Sequence, residues 1–524
     1  MSIDPVQLEV IRNALTGIAE EMLAALLRTA LSPNIRERRD CSTAIFDADG
    51  NMIVQSESIP VHLGAMPFSV RAAIEHFENF QPGDVVILND PYQGGAHLPD
   101  ITLVTPVFAD GVFRAMVANR AHHADVGGIA PGSVSGNTSE IYQEGVRIPA
   151  LKLWKAGELN SEAYELILAN VRTPSERDGD LRAQYASNET ARMRLLEFSE
   201  RYDWQLLTEA MGELLDYSER RMRQQIAKMP PARYRAVDYL DDDGRGHEQI
   251  PINVEVCVED GQLVIDFSGT AEQVEGPLNA VYAVTCSASY YTIRCLTDPT
   301  IPPNEGCYRP ITIKAPEGTI VNPNFPAPVV GGNLETSQRI VDTLIKALSE
   351  ALPERAMAAC QGTMNNITIG GINPRNNEPY TFYETLAGGF GARATKPGID
   401  ALHSHMTNTL NTPIELLETA FPVRVERYEI RDNTGGRGKY RGGNGLRRDI
   451  RVLSPATCSL LTDRRINQPY GLHGGEPGAV GENYIIRDGV EGQVEAKSTH
   501  KLLPDEIISI RTPGAGGVGK PDSN

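Results

Sequence analysis

The feature that most constrains this chain is a β-hairpin with histidines at its open end. Residues 101–108 (ITLVTPVF) and 112–119 (VFRAMVAN) are rich in β-branched and apolar side chains. Between them Ala109-Asp110-Gly111 is a short loop whose glycine can supply positive φ. Counting outward from the loop pairs 108 with 112, 100 with 120 and 97 with 123. The hairpin therefore returns His122-His123 to the end of Asn89-Asp90-Pro91-Tyr92-Gln93-Gly94-Gly95-Ala96-His97-Leu98-Pro99-Asp100. Side chains three apart on a regular strand face opposite ways. Pro99 breaks that regularity, so His97 and Asp100 are expected in a curled loop where they converge. Two imidazoles and a carboxylate on one rim suit a divalent metal with open positions. The plainer alternative is that these groups only cap strand ends or pair with one another.

Other stretches add candidates. A second hairpin, Cys41–Asp47 and Asn51–Gln55 about Asp49-Gly50, puts Asp40 near Ser58, a few residues before His62. That is a second rim with a carboxylate and an imidazole. Asp4-Pro5 reads as the N-cap and first-turn proline of a helix running to about Ala30, with Leu8, Ile11, Leu15, Ile18, Met22 and Leu26 as its apolar stripe. The loop Gly127–Gly145 carries Glu144, a site acid or base on one reading and an exposed loop carboxylate on the other. From Ser161 to Met229 the pattern is helical and charged, with one long helix or a helix pair stopped by Pro230-Pro231. The acidic YLDDDG at 239–244 reads as a solvated loop and not a calcium site. Gly331-Gly332-Asn333 feeds a helix and could hold an anion or simply cap it. His403 and His405 have no evident carboxylate partner.

At 524 residues the chain is too long for one small core. We expect an α+β, mixed multi-domain chain with β-hairpins around a metal site. Its divisions are an N-terminal α/β metal-site domain (1–194), a helical connector (195–235), a central α+β domain (236–422) and a β-rich C-terminal region (423–524). The formal net charge of −19 argues against a nucleic-acid or anionic-membrane surface. Seven scattered cysteines without short paired spacing imply reduced thiols. No basic-then-apolar leader and no apolar run of membrane length are present, so a cytoplasmic location is expected. Gly514–Lys520 (GAGGVGK) imitates a phosphate-binding loop, but Pro521 stands where Ser or Thr belongs and no helix can follow. Any ATP chemistry is expected on another subunit.

Several long blocks now carry a resemblance. RERRDCSTAIFD, NDPYQGGAHLPDITL, NRAHHADVGG, IYQEGVRIP, FSGT, GGNLETSQR, ALHSHMTNT and FPVRVERY follow one another over nearly the whole chain. Together they resemble the hydantoinase B family, the metal-bearing subunits of ATP-dependent hydantoinases, 5-oxoprolinases and caprolactamase, related to acetone and acetophenone carboxylases. The resemblance implies metal ligands at His97, Asp100 and His122, with Asp40 a further ligand or site carboxylate. His123 would then support the site or touch substrate, and Asp125 or Glu144 would shuttle the proton. It also implies an ATP-binding partner of hydantoinase A type, which phosphorylates the amide oxygen, or bicarbonate in the carboxylases. Manganese, iron and zinc all suit the mixed nitrogen–oxygen set. The expected activity is ring-opening hydrolysis of a small cyclic amide, a hydantoin, 5-oxoproline or lactam. A carboxylase subunit and a non-catalytic assembly subunit are the alternatives.

Overall fold

The computed structural model describes residues 3–56 and 59–521. Seven antiparallel strands carry the histidine hairpin: β1 (Cys41–Asp47), β2 (Met52–Gln55), β3 (Val85–Leu88), β4 (Asp100–Ala109), β5 (Val112–His122), β6 (Leu151–Lys155) and β7 (Glu158–Leu159). They lie in the order β2-β1-β5-β4-β3-β6-β7. Alternation along the strands sends Ile45, Ala115 and Val117 into one core and Ala44, Phe46, Met116 and Ala118 into another. The first of these cores also takes Ile11, Leu15, Ile18 and Met22 of the helix Pro5–Thr29, which Asp4 caps by accepting the Gln7 N–H.

The hairpin register differs from the count made on the sequence. Asp100 pairs with His122, not with residue 120. Two causes add. The turn is tighter than expected, with only Asp110 and Gly111 (φ 52° and 74°) between the paired Ala109 and Val112. A bulge then shifts the register between Val107 and Phe108 and leaves Arg114 unpaired on β5.

Residues 161–229 form three helices, Ser161–Ala169, Pro174–Arg201 and Trp204–Ile226. The second runs unbroken through 194–195, and the third buries Leu207, Met211 and Leu214 in the core under β1 and β5. The expected connector is thus part of the N-terminal packing, because its apolar stripe faces that sheet.

Four further strands, β8 (Arg233–Asp242), β9 (Glu248–Glu259), β10 (Gln262–Asp266) and β11 (Ile311–Lys314), make a second sheet in the order β11-β10-β9-β8. YLDDDG, the end of β8 and the turn after it, exposes Tyr239 and Gly244 but buries two of its three carboxylates. Asp241 is buried and accepts the backbone N–H groups of Arg465, Ile466 and Asn467, while buried Asp243 accepts those of Arg245, His247 and Gly276.

The rest of the chain contributes β12 (Asn366–Asn373), β13 (Glu378–Glu384), β14 (Val423–Ile430), β15 (Leu446–Val452), β16 (Ala456–Leu461), β17 (Glu482–Arg487), β18 (Val490–Gln493), β19 (Lys497–Leu502) and β20 (Ile507–Arg511). These form two sheets, β13-β12-β16-β19 and β14-β15-β20-β17-β18. The first of the two takes strands from both sides of residue 422. Among the described residues no helix is long and apolar enough to cross a membrane. All seven cysteines are free.

Candidate metal centre

The loop before β4 is shaped by its own polar groups. The Asn89 amide donates to the carbonyls of Leu98 (2.7 Å) and Val146 (2.9 Å), and its Oδ1 accepts the Ile148 N–H at 2.7 Å. Asp90 accepts the Tyr92 N–H and so caps the single turn Pro91–Gln93. Gly94 leaves that turn at φ +90°, where an added Cβ would lie 2.5 Å from the Phe68 carbonyl oxygen, so only glycine fits. The Asp100 N–H then closes onto the His97 carbonyl at 3.0 Å, the curl that Pro99 implied.

This curl and the hairpin register bring three donor atoms together. His97 Nε2, Asp100 Oδ1 and His122 Nδ1 lie 3.1 to 3.2 Å from one another, all buried. Among the described residues neither Asp100 oxygen receives an aligned hydrogen bond, although three ring nitrogens stand 3.1 to 3.3 Å away. Metal–donor bonds of about 2.0–2.2 Å place donors roughly 3.0 Å apart in an octahedron and roughly 3.4 Å apart in a tetrahedron. The observed separations fall between these, so the residues fit a divalent ion. Burial pushes the His122 imidazole below its ordinary value, towards the neutral form that a metal requires. Burial also opposes ionisation of Asp100, but His97 and His62 outweigh it and hold that carboxyl well below the usual range.

The two rims read from the sequence are one. β1 pairs with β5, Cys41 opposite Ala121, which sets Asp40 and His62 beside the trio. His62 Nε2 lies 3.3 Å from Asp100 Oδ2, and its Nδ1 is 2.9 Å from Ser42 Oγ. His62 therefore orients the carboxylate from outside the trio. The pairing of β1 with β2 made His62 visible as a neighbour of Asp40; the link to Asp100 needed the third strand. Asp40 accepts the His122 N–H with its carbonyl at 2.9 Å. Its side chain borders the same small cavity as His62, Asp100 and His122, about 20 Å³, room for roughly one water. Asp40 is not one of the three converging donors. Ser58, expected near it, lies outside the described residues. Asn333, from the glycine turn read as an anion site or a cap, and Tyr383, which no local signal marked, also line the cavity.

Three sequence candidates stand outside the trio, with their hydrogen bonds made to other parts of the chain. His123 stands just past the end of the strand, and its Nε2 lies 2.9 Å from Gln184 Oε1, outside the trio. Burial brings its imidazole down to about 4. Asp125 accepts the N–H groups of Gly127, Gly132 and Arg172 and pairs with the Arg172 guanidinium at 2.9 Å, which braces its loop. Glu144 is not an exposed loop carboxylate. Both its oxygens accept the Val329 and Val330 N–H groups at 3.0 to 3.1 Å, and Thr138 Oγ1 donates to one of them. Burial pushes its carboxyl up to about 8, against the pull of those amides. His405 does have a carboxylate partner, Asp342 Oδ1 at 3.2 Å, contributed by a distant helix.

Comparison with known proteins gives a coherent result. The family model described as hydantoinase B/oxoprolinase matches residues 4–521. An uncharacterised protein of Methanocaldococcus jannaschii, MJ0963, is 45% identical over 99% of this chain and 91% of its own length. The 5-oxoprolinase 1 of Arabidopsis thaliana is 37% identical over 98% of this chain, which spans only 42% of that protein. A Pseudomonas protein assigned as the B-type component of a D-/L-hydantoinase is 34% identical over 99% of this chain and 90% of its own. Among solved structures, ATP-dependent caprolactamase from Pseudomonas jessenii matches with a TM-score of 0.92 and 30% identity, over 99% of this chain and 92% of that one. Acetone carboxylase shares the fold, with a TM-score of 0.91 at 20% identity over 99% and 76%.

Proposed function

This chain belongs to the hydantoinase B/oxoprolinase family, and from that premise we propose that it is the metal-dependent subunit of an ATP-dependent cyclic-amide hydrolase. Its substrate is a hydantoin, 5-oxoproline or lactam ring, activated by phosphorylation on an ATP-binding partner of hydantoinase A type. The observation that carries this reading is the buried convergence of His97, Asp100 and His122. The 30% identity to caprolactamase, against 20% to acetone carboxylase, favours ring opening over carboxylation. Seven free cysteines fit a reducing compartment, the cytoplasm.

An unstrained amide carbonyl is a poor electrophile, so phosphorylation of its oxygen precedes attack. His97, Asp100 and His122 would hold a divalent manganese, iron or zinc ion, which would supply a Lewis acid and lower the pKa of water towards about 7. His62, fixed by Ser42, keeps Asp100 in its ligating orientation. The Asp40 carboxylate, at the cavity wall, takes the proton of the attacking water. The mostly buried lining limits the access of bulk water to the activated substrate.

The test is reconstitution. The purified chain, its ATP-binding partner, ATP and each divalent metal are offered hydantoin, 5-oxoproline and a series of lactams. Ring opening coupled to ATP consumption is expected, and it is lost in Asp100→Asn. Carboxylate formed from a ketone and bicarbonate, with no ring opened, would replace this reading by the carboxylase one.

A further inference from the structure

Ligating imidazoles are normally fixed in plane by a hydrogen bond from the nitrogen that does not face the metal. His122 has none. Its Nδ1 faces the trio, and its Nε2 is buried with no hydrogen-bond partner among the described residues. The torsion that turns an imidazole is broad, so burial alone fixes the ring plane poorly. Something else must hold it.

What stands against the ring is an aromatic side chain from another sheet. Tyr383, on β13, lies nearly parallel to the His122 imidazole, with 4.7 Å between centroids and 16° between planes. The Arg38 guanidinium also lies over the tyrosine ring, 4.8 Å from its centroid. The phenol hydroxyl donates to Asn366 Oδ1 at 3.0 Å, and the Asn366 amide donates to Glu335 Oε1 at 2.8 Å. That same oxygen accepts the Met364 N–H at 3.2 Å. Glu335 is fully buried on the π-turn Gly332–Thr336, whose Asn333 borders the metal cavity. Turns of this kind recur at functional sites.

We propose that Tyr383 is the positioning residue for the ligand His122, and that Asn366 and Glu335 form the tether that keeps Tyr383 in place. The inference rests on the metal reading above and extends it. The trio on one sheet is completed by a brace from a second, 261 positions further along the chain than His122. The tether ends on a carboxyl that burial, with Asp463 nearby, pushes up to about 8 although Lys497 and Arg465 oppose it. At neutral pH that end carries a proton, so an amide can stand in for it.

The probe is Co²⁺ alone, titrated into the metal-free full-length protein, read as a dissociation constant and as the visible d–d spectrum. Tyr383→Leu removes the stack, and affinity is expected to fall about 10- to 100-fold with a changed spectrum, the usual cost of losing an orienting partner. Tyr383→Phe keeps the ring and frees it from Asn366, for an expected loss of about three- to tenfold. Glu335→Gln preserves the acceptor and should stay within about twofold. Tyr380→Phe, on the same strand but packed on Phe421, controls for general loosening and should change nothing. Wild-type affinity and spectrum in Tyr383→Leu would overturn the inference, as would the same result in Tyr383→Phe if the leucine variant does not fold. Wild-type protein that takes up no cobalt at this centre overturns the metal reading and the inference together. Cobalt bound with both variants indifferent overturns the inference alone.

Discussion

Removing His97 is the most direct challenge to the centre. Its imidazole is fully buried and contributes one of three donors, 3.1 Å from Asp100 Oδ1 and 3.2 Å from His122 Nδ1. Cages of four donors bind zinc with about 10–16 kcal/mol, so one donor is worth about 3 kcal/mol, or roughly two orders of magnitude in Kd. A water entering the vacated space can restore part of that, because the truncated side chain leaves room beside the polar atoms of Asp100 and His122. His97→Ala is therefore expected to weaken metal binding about 30- to 300-fold. The backbone should survive, since the loop is held by Asn89 and Asp90 and not by the imidazole. The assay is a competition titration against a chromophoric chelator, with elemental analysis for stoichiometry and circular dichroism for fold. A folded His97→Ala protein that binds one equivalent with unchanged affinity would refute the reasoning.

Two further outcomes separate structural groups from catalytic ones. Glu144→Ala leaves the buried Val329 and Val330 amides without their acceptor, and should cost about 2–4 kcal/mol of stability in urea unfolding while leaving metal content intact; unaltered stability with lost metal would return Glu144 to the site. His123 stays neutral in the fold down to about 4, whereas the unfolded chain gains a proton near 6.5, so stability drops as pH falls through that window. His123→Gln should shrink the wild-type loss between pH 7 and pH 5 by about 2 kcal/mol, and an identical pH profile in the two proteins would contradict a buried neutral imidazole.

What could be read from the chain follows physical range. The turn at Asp110-Gly111 and the curl at Pro99 are decided by neighbouring residues, so the meeting of His97, Asp100 and a histidine of the following pair was legible. Which histidine faces inward was not legible from the count, because the bulge at Arg114 is a packing accommodation with no mark in the local sequence. His62 stood on a separate rim until β1 docked beside β5. Glu144 looked like a loop carboxylate because its partners, the amides of Val329 and Val330, come from more than 180 residues away. The acidic run at 239–244 misled for the same reason: Asp241 is satisfied by backbone from 465–467. The stripe on Pro5–Thr29 was readable because helical periodicity is local. The packing of Trp204–Ile226 against the same sheet was not, since an amphipathic face does not name what covers it.

The unpaired Arg114 makes the β4–β5 arm a ruler. It lies near the exposed tip, yet the strands carry its phase about 25–30 Å inward to the ligands, at about 3.3 Å per residue. Surface loops usually tolerate insertion and deletion. Deleting Arg114 itself would only remove the bulge, whereas a change in length that slides the pairing inward of Val107–Ala115 by one step would turn His122 out and His123 in. Sequence variation at this tip is therefore constrained by length far more than by residue type.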